Sequence, residues 1–274
     1  MKVDRELIKK GLEKMKKIGF IGMGNMAQAI ASGWIGRKLL EGDQVYAYAP
    51  HQDKLEKNAA RIGFIPCGEI REMVDRCDII LMACKPYQIE GVLKEIGDRL
   101  GGKALLSVAA GWNYRKYSPY LGDSTRFQYI MPNTPAMVGE GVMLFEETNS
   151  LEEEEHEEIM ELFRALGRVE IIPDHLMGVA MAITGCGPAF VDLVIEALGD
   201  AGVKYGLPRA QVYALASQII LGSAKLQLDT GEHPGVLKDK VCSPAGTTIR
   251  GVDALEHKGV RAAFIDAIDA IMEF

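Results

Sequence analysis

Residues 241–251 read VCSPAGTTIRG and gather Ser243, Thr247 and Thr248 around Ala245 and Gly246, between two stretches of helical periodicity. The segment holds no His, Lys, Asp or Glu, so it offers no conventional acid or base. Its chemistry is that of hydroxyls and main-chain amides. A helix opened by Ala245-Gly246-Thr247 presents unpaired N–H groups, and Ser243 and Thr248 add hydroxyl donors, which makes a small carboxylate the natural ligand.

A second constellation lies near the start of the chain. GFIGMGNMAQAI places Gly22 and Gly24 directly after an apolar run, with Ala27 at the third position of a GxGxx(G/A) loop and Asn25 and Met26 between them. In a dinucleotide loop the first glycine makes the tight turn, the second lets the main chain approach a pyrophosphate, and the third small residue allows close helix–strand packing. The diphosphate then rests on the following helix N-terminus. NAD-type sites place a carboxylate at the end of the second strand, some 20 residues on, for the ribose hydroxyls. Here that stretch is YAPHQDK. Ala49, Pro50 and His51 put no carboxylate at the strand end, and His51, Gln52 and Lys54 can bond or neutralise a 2′-phosphate, so NADP is preferred over NAD.

Three further segments end strands at the same sheet edge, where ligands bind in open α/β folds. MACKPYQ contributes Lys85, a candidate for catalysis, phosphate binding or plain surface, and Pro86, a rigid wall suited to a nicotinamide ring. SVAAGW contributes Ala109 to the cofactor side. MPNTPAMVGEG sets Asn133 and Thr134 between two prolines, a stiff polar loop able to orient a ligand or serve as a simple turn.

The elements carrying these loops follow from periodicity. Strands are expected at 17–22, 44–49, 78–83, 104–109, 126–131, 141–146 and 169–173, and helices at 25–37, 53–62 and 88–100. Strands alternating with helices predict a parallel, doubly wound, Rossmann-type sheet. LEEEEHEEIMELFRALG reads as a helix capped by Ser150, its acidic run a solvated first turn. Beyond Asp174 the pattern is helical, notably at 189–206 and 209–231. The expected organisation is a short amphipathic N-terminal extension (1–14), a dinucleotide-binding domain (15–173) and an all-α domain for dimerisation and substrate (174–274).

The net charge of −7 and pI near 5.4 argue against holding nucleic acid or an anionic membrane by bulk electrostatics. Five cysteines without a CxxC or Cys/His cluster suggest inert thiols and neither a disulfide framework nor a metal site. With a charged N-terminus and no run approaching a membrane span, a cytoplasmic protein is expected.

The segments IGFIGMGNMA, CKPYQI, SVAAGW, MPNTPAMVGEGV, TGCGPAFVDLVIEALGDAGVKYGLPR and TGEHPGVLKDKVCSPAGTTIRGVDALE together resemble the pyrroline-5-carboxylate reductases, in the expected order over residues 15–274. Cys186 and Phe190 stand where that family more often has Ser and Tyr, and Ala245 where Gly is usual. The resemblance implies NAD(P)H-dependent reduction of 1-pyrroline-5-carboxylate to L-proline. It also implies a homodimer through the C-terminal helices and larger assemblies, up to a decamer of dimers in a ring. The substrate is expected between the nicotinamide and the loop Ser243, Ala245, Gly246, Thr247 and Thr248, with Thr248 at the substrate nitrogen and Ser243 beside it, and Asn133 serving both ligands.

The acid-free loop agrees with that substrate. A ketone reductase must protonate a developing alkoxide with a placed side chain, whereas a cyclic imine can take its proton before hydride arrives. Two alternatives share the outline: a 3-hydroxyacid-type dehydrogenase, and a non-catalytic NADP-binding regulator. The first needs a lysine on the first long helix of the second half, where this chain has none before Lys204; the second would have no need of the intact hydroxyl loop.

Overall fold

The computed structural model describes residues 17–273, so the expected N-terminal helix at 1–14 lies outside the described residues. One sheet of eight strands organises the first part: β1 (Ile18–Ile21), β2 (Val45–Tyr48), β3 (Ile65–Pro66), β4 (Ile79–Met82), β5 (Ala104–Ser107), β6 (Arg126–Pro132), β7 (Gly141–Glu146) and β8 (Gly167–Ile172), in the order β3-β2-β1-β4-β5-β6-β7-β8. The helices between them are α1 (Asn25–Gly36), α2 (Gln52–Ile62), α3 (Ile70–Arg76), α4 (Ile89–Ile96), α5 (Tyr114–Tyr117) and α6 (Glu153–Arg164). The doubly wound α/β class expected from alternating periodicity is the one observed.

Both faces of the sheet are covered, which is why its strands read as continuous apolar runs. One core packs Ile18 and Phe20 of β1 against Ile30 and Trp34 of α1 and Ile159 and Phe163 of α6; the other packs Ile21 and Ile80 against Met73 and Val74 of α3 and Leu93 of α4. Trp34 is fully buried and edge-on to Phe163 at 5.3 Å, and its indole N–H donates to Leu162 O at 2.8 Å, so its one polar atom costs nothing.

Three local expectations are corrected. β3 and α3 were not anticipated, being short elements in a polar stretch where periodicity has little length to act on. β7 runs antiparallel to β6, against the all-parallel expectation. Residues 133–140 hold only a 3-10 turn, and a parallel return needs a longer crossover. Finally, the N-cap position of α6 is Glu152, which makes no side-chain capping bond, and not Ser150, whose hydroxyl instead accepts the Phe127 N–H at 2.9 Å. Its acidic run is only partly solvated, because Glu155 is buried and receives both arms of the Arg126 guanidinium at 2.6 and 3.1 Å.

The chain separates into two compact units, one ending at Gly185 and the other beginning at Cys186. The second is wholly helical: the remainder of α7 (Met177–Lys204), then α8 (Arg209–Thr230), α9 (Pro234–Lys240), α10 (Thr247–His257) and α11 (Val260–Met272). In α8 only Val212 and Ala216 are buried, while Leu215, Ile219, Leu221 and Leu228 stand more than half exposed. The expectation that no stretch suits a membrane also needs correction. Residues 174–204 form a helical stretch with a mean hydropathy of 1.7 over its most apolar window, only 6% of it buried, which by length and composition alone could cross a bilayer. Counting uninterrupted apolar runs misses it, since Gly, Thr and Pro break the run but not the average. Exposed apolar surface of this extent demands cover, from protein or from lipid.

Candidate active site

Gly22 directly follows β1 with φ +96°, a left-handed conformation that L side chains rarely adopt. Its N–H donates to Tyr48 O at 2.8 Å, and a β-carbon there would lie 2.9 Å from the main chain of Ala83 and Cys84. The turn is therefore shut to any other residue. Gly24 is different: it is exposed, has ordinary φ, and a β-carbon on it would meet nothing within 4 Å. Open space in front of the N-cap, with the first-turn N–H groups of Asn25, Met26 and Ala27 behind it and no side chain capping them, fits a diphosphate. Ala27 is buried in the core under α1, as the small third position requires.

The neighbouring strand ends carry the other cofactor candidates. Ala49 follows β2, and His51 and Lys54 are exposed at the start of α2. Gln52 is not free for a phosphate, since its Nε2 donates to Ala49 O at 2.9 Å and braces the strand end. Asp53 stands exposed in the same first turn and brings a negative charge that reading only the strand end overlooks. Lys85 is exposed and Pro86 half-buried at the end of β4, where the Lys85 N–H is held by Gln88 Oε1 at 3.1 Å. Cys84 beside them is no nucleophile, because burial pushes its thiol up to about 11. β2, β1, β4, β5 and β6 are successive neighbours, so Gly22, Gly24, Ala49, His51, Lys54, Lys85, Pro86, Ala109 and Asn133 share one edge of the sheet.

Buried polar side chains fix the loops of this edge. Ser107 Oγ accepts the Ala109 N–H at 3.3 Å, the Tyr129 hydroxyl accepts that of Gly111 at 3.3 Å, and Glu146 Oε2 accepts that of Tyr114 at 2.8 Å. Asn133 is buried and doubly engaged, its Nδ2 donating to Thr184 O at 2.9 Å and its Oδ1 accepting the Val142 N–H at 2.8 Å. Ser107, Tyr129 and Glu146 were not singled out from the sequence; the available signal was a polar residue inside an otherwise apolar strand.

Burial raises the Glu146 carboxyl above its ordinary value and Asp174 adds to this, while the Tyr114 N–H opposes it. The folded chain thus holds that proton more tightly than the unfolded one, and the group costs stability as pH rises from the ordinary carboxyl range through the raised value. Glu146→Gln keeps the acceptor and removes the titration. Its melting temperature should equal the parent's near about pH 4 and exceed it at neutral pH; a difference independent of pH in thermal melts would refute this account.

In the second unit, the 242–248 loop forms one tight turn into α10. Gly246 is the N-cap, its N–H donates to Ser243 O at 3.0 Å, and a β-carbon there would lie 2.3 Å from Ser243 Oγ. Ala245 adopts φ +58°, an arrangement that costs a non-glycine residue about 1 kcal/mol. Such strain persists where the surroundings insist on the conformation. No side chain caps α10 and no acidic residue occupies its first turn, so the N–H groups of Thr247 and Thr248 meet solvent with the helix dipole behind them. Ser243, Ala245, Thr247 and Thr248 are exposed.

Comparison with known proteins adds identity to this geometry. Residues 174–274 match the family model described as pyrroline-5-carboxylate reductase dimerisation, and residues 17–111 match that of the coenzyme F420-dependent NADP oxidoreductases. The pyrroline-5-carboxylate reductase of Treponema pallidum is 40% identical over 261 residues, covering 93% of this chain and 98% of that protein. That of Escherichia coli is 40% identical over 259 residues, covering 94% and 96%. The NADP-bound pyrroline carboxylate reductase of Plasmodium falciparum superposes with a TM-score of 0.85 at 32% identity, over 94% of this chain and 96% of that one. The apolar surface of 174–204 thus falls within the residues matched by the dimerisation model. The glycine turn, the acid-free hydroxyl loop and relationships spanning nearly the whole length lead to one conclusion: the chain belongs to the pyrroline-5-carboxylate reductase family.

Proposed function

We propose that this chain reduces 1-pyrroline-5-carboxylate to L-proline, with NADPH preferred over NADH. The observation that carries the reading is the loop opening α10, a carboxylate cradle with hydroxyls and no acid. NADPH, when bound, supplies the hydride that adds to the imine carbon. The chain's own residues bind and orient. Gly22 and Gly24 with the N–H groups of Asn25, Met26 and Ala27 hold the pyrophosphate; Ala49, His51 and Lys54 take the 2′-phosphate; Lys85, Pro86, Ala109 and Asn133 line the nicotinamide side. Ser243 and the amides of Ala245, Gly246 and Thr247 receive the substrate carboxylate, while the Asn133 amide, already bonded to Thr184 O and the Val142 N–H, shapes its loop and makes no substrate contact. Thr248 holds the ring nitrogen, which is protonated before reduction and needs only an acceptor or a water relay.

The dehydrogenase alternative finds no support in α7, whose only lysine is its last residue, Lys204. We take the domain boundary at 173/174, where the dimerisation match begins, although the compact units divide within α7 at 185/186, with α7 to α11 forming the dimer contact and rings assembling from dimers. All five thiols are free, in keeping with a reducing cytoplasm.

Proline formed from unlabelled substrate and NADPH carrying deuterium at the transferred position should contain one deuterium at C5, and kcat/KM should favour NADPH over NADH. Absence of label in proline at saturating substrates would sink the reductase reading. An NADH preference would overturn the assignment of His51 and Lys54 and point to Asp53.

A further inference from the structure

α7 runs unbroken from Met177 to Lys204 although Pro188 lies inside it. Proline has no N–H, and its ring presses on the carbonyl four residues earlier, which in α7 is that of Thr184. A carbonyl so displaced needs another donor. The Thr184 hydroxyl is not that donor, as it bonds Ala180 O at 2.9 Å. Asn133 Nδ2 is, at 2.9 Å from Thr184 O. Through Oδ1 the same amide accepts the Val142 N–H at 2.8 Å, so one buried side chain ties the end of β6, the start of β7 and α7.

The chemistry is selective. Asp would lose the donor, Ser could not span both partners, and an apolar residue would leave the Thr184 carbonyl and the Val142 N–H unpaired. We infer that Asn133 is a positioning residue that supplies the hydrogen bond Pro188 cannot, and so fixes the 132–141 loop of the cofactor edge to α7. The pairing of Asn133 with Pro188 is therefore functional: the proline frees a carbonyl for a side chain of the ligand edge to grip. Of the proposed function, this inference rests only on the cofactor half, that the edge holds NADPH, and not on the reduction itself.

A double-mutant cycle tests this, with Asn133→Ala and Pro188→Ala singly and together, read by melting temperature and by direct NADPH binding well below melting. In the parent background Asn133→Ala should lower the melting temperature and weaken NADPH binding about tenfold, because the loop loses its register. In the Pro188→Ala background the restored amide can bond Thr184 O itself. There the Asn133→Ala penalty in binding should shrink to within about threefold and the loss of melting temperature to about half. Equal penalties in both backgrounds would overturn the pairing, as would a fall in melting temperature with unchanged NADPH affinity, which marks a purely structural bond. If Asn133→Ala alone is recovered only as aggregate, a soluble double variant supports the inference and an equally aggregated one refutes it. NADPH binding is measured without substrate, so a parent enzyme that makes no proline would count against the reductase reading and leave this test intact.

Discussion

Thr248→Ala should lower kcat by about a hundredfold while leaving the NADPH dissociation constant within about twofold of the parent. Thr248 occupies the first turn of α10, exposed, next to main-chain amides that no side chain caps. Among the described residues its hydroxyl has no hydrogen-bond partner, so its removal should perturb the fold little. On the proposed assignment, what is lost is a group at the substrate nitrogen, and a misplaced or unsolvated nitrogen raises the barrier without altering how the cofactor is held. Thr248→Ser retains the hydroxyl and should recover most of the rate, whereas Thr248→Val keeps the shape and should not. Gly246 sharpens the argument, because its N–H to Ser243 O bond and its lack of a β-carbon set the turn that presents both hydroxyls. Stopped-flow hydride transfer, with NADPH binding measured separately, gives the answer; a parent-like rate in Thr248→Ala would remove Thr248 from the site.

Which features were legible beforehand depended on whether their cause is local. The turn at Gly22 and the opening of α10 are written in a few consecutive residues, since only glycine tolerates φ +96° against the Ala83 main chain, and hydroxyl-rich turns before apolar periodicity announce helix starts. The alternating sheet was equally plain because each strand is a buried apolar run. What escaped is non-local. Glu155 looks like one more acid in LEEEEHEE until Arg126, 29 residues earlier, is found beside it. Ser150 looks like a cap until Phe127 claims it. Glu146 and Tyr129 are inconspicuous until the sheet brings them under the 109–114 loop, where their oxygens hold two of its amides. Asn133 was expected to face a ligand because its loop is polar and proline-bounded, yet both polar atoms of its amide turn to the chain, a consequence of a proline 55 positions later that pattern reading could not connect to it.

Gly22 and Gly24 divide what the fold needs from what the cofactor needs, and substituting each by alanine should separate the two. In Gly22→Ala the new β-carbon meets the main chain of Ala83 and Cys84 at 2.9 Å, and the left-handed φ adds about 1–2 kcal/mol. Those atoms cannot retreat freely, because the Ala83 N–H bonds Ile21 O at 2.9 Å across the β1–β4 pair. The expected result is a drop of several degrees in melting temperature together with NADPH affinity at least about tenfold weaker. Gly24→Ala meets no atom of the chain and has no adverse φ, so its melting temperature should stay close to the parent's. Its methyl group nonetheless points into the space in front of the α1 N-terminus, where the main chain must come close to a diphosphate. NADPH binding should therefore weaken by about tenfold or more in Gly24→Ala with the fold intact, since a lost or lengthened contact to a charged group is worth about 1.5–3 kcal/mol. Titration of both variants with NADPH, beside thermal melts in its absence, distinguishes the two causes. Parent-like affinity in Gly24→Ala would mean that the diphosphate does not rest on the N-terminus of α1, whatever Gly22→Ala does to the fold.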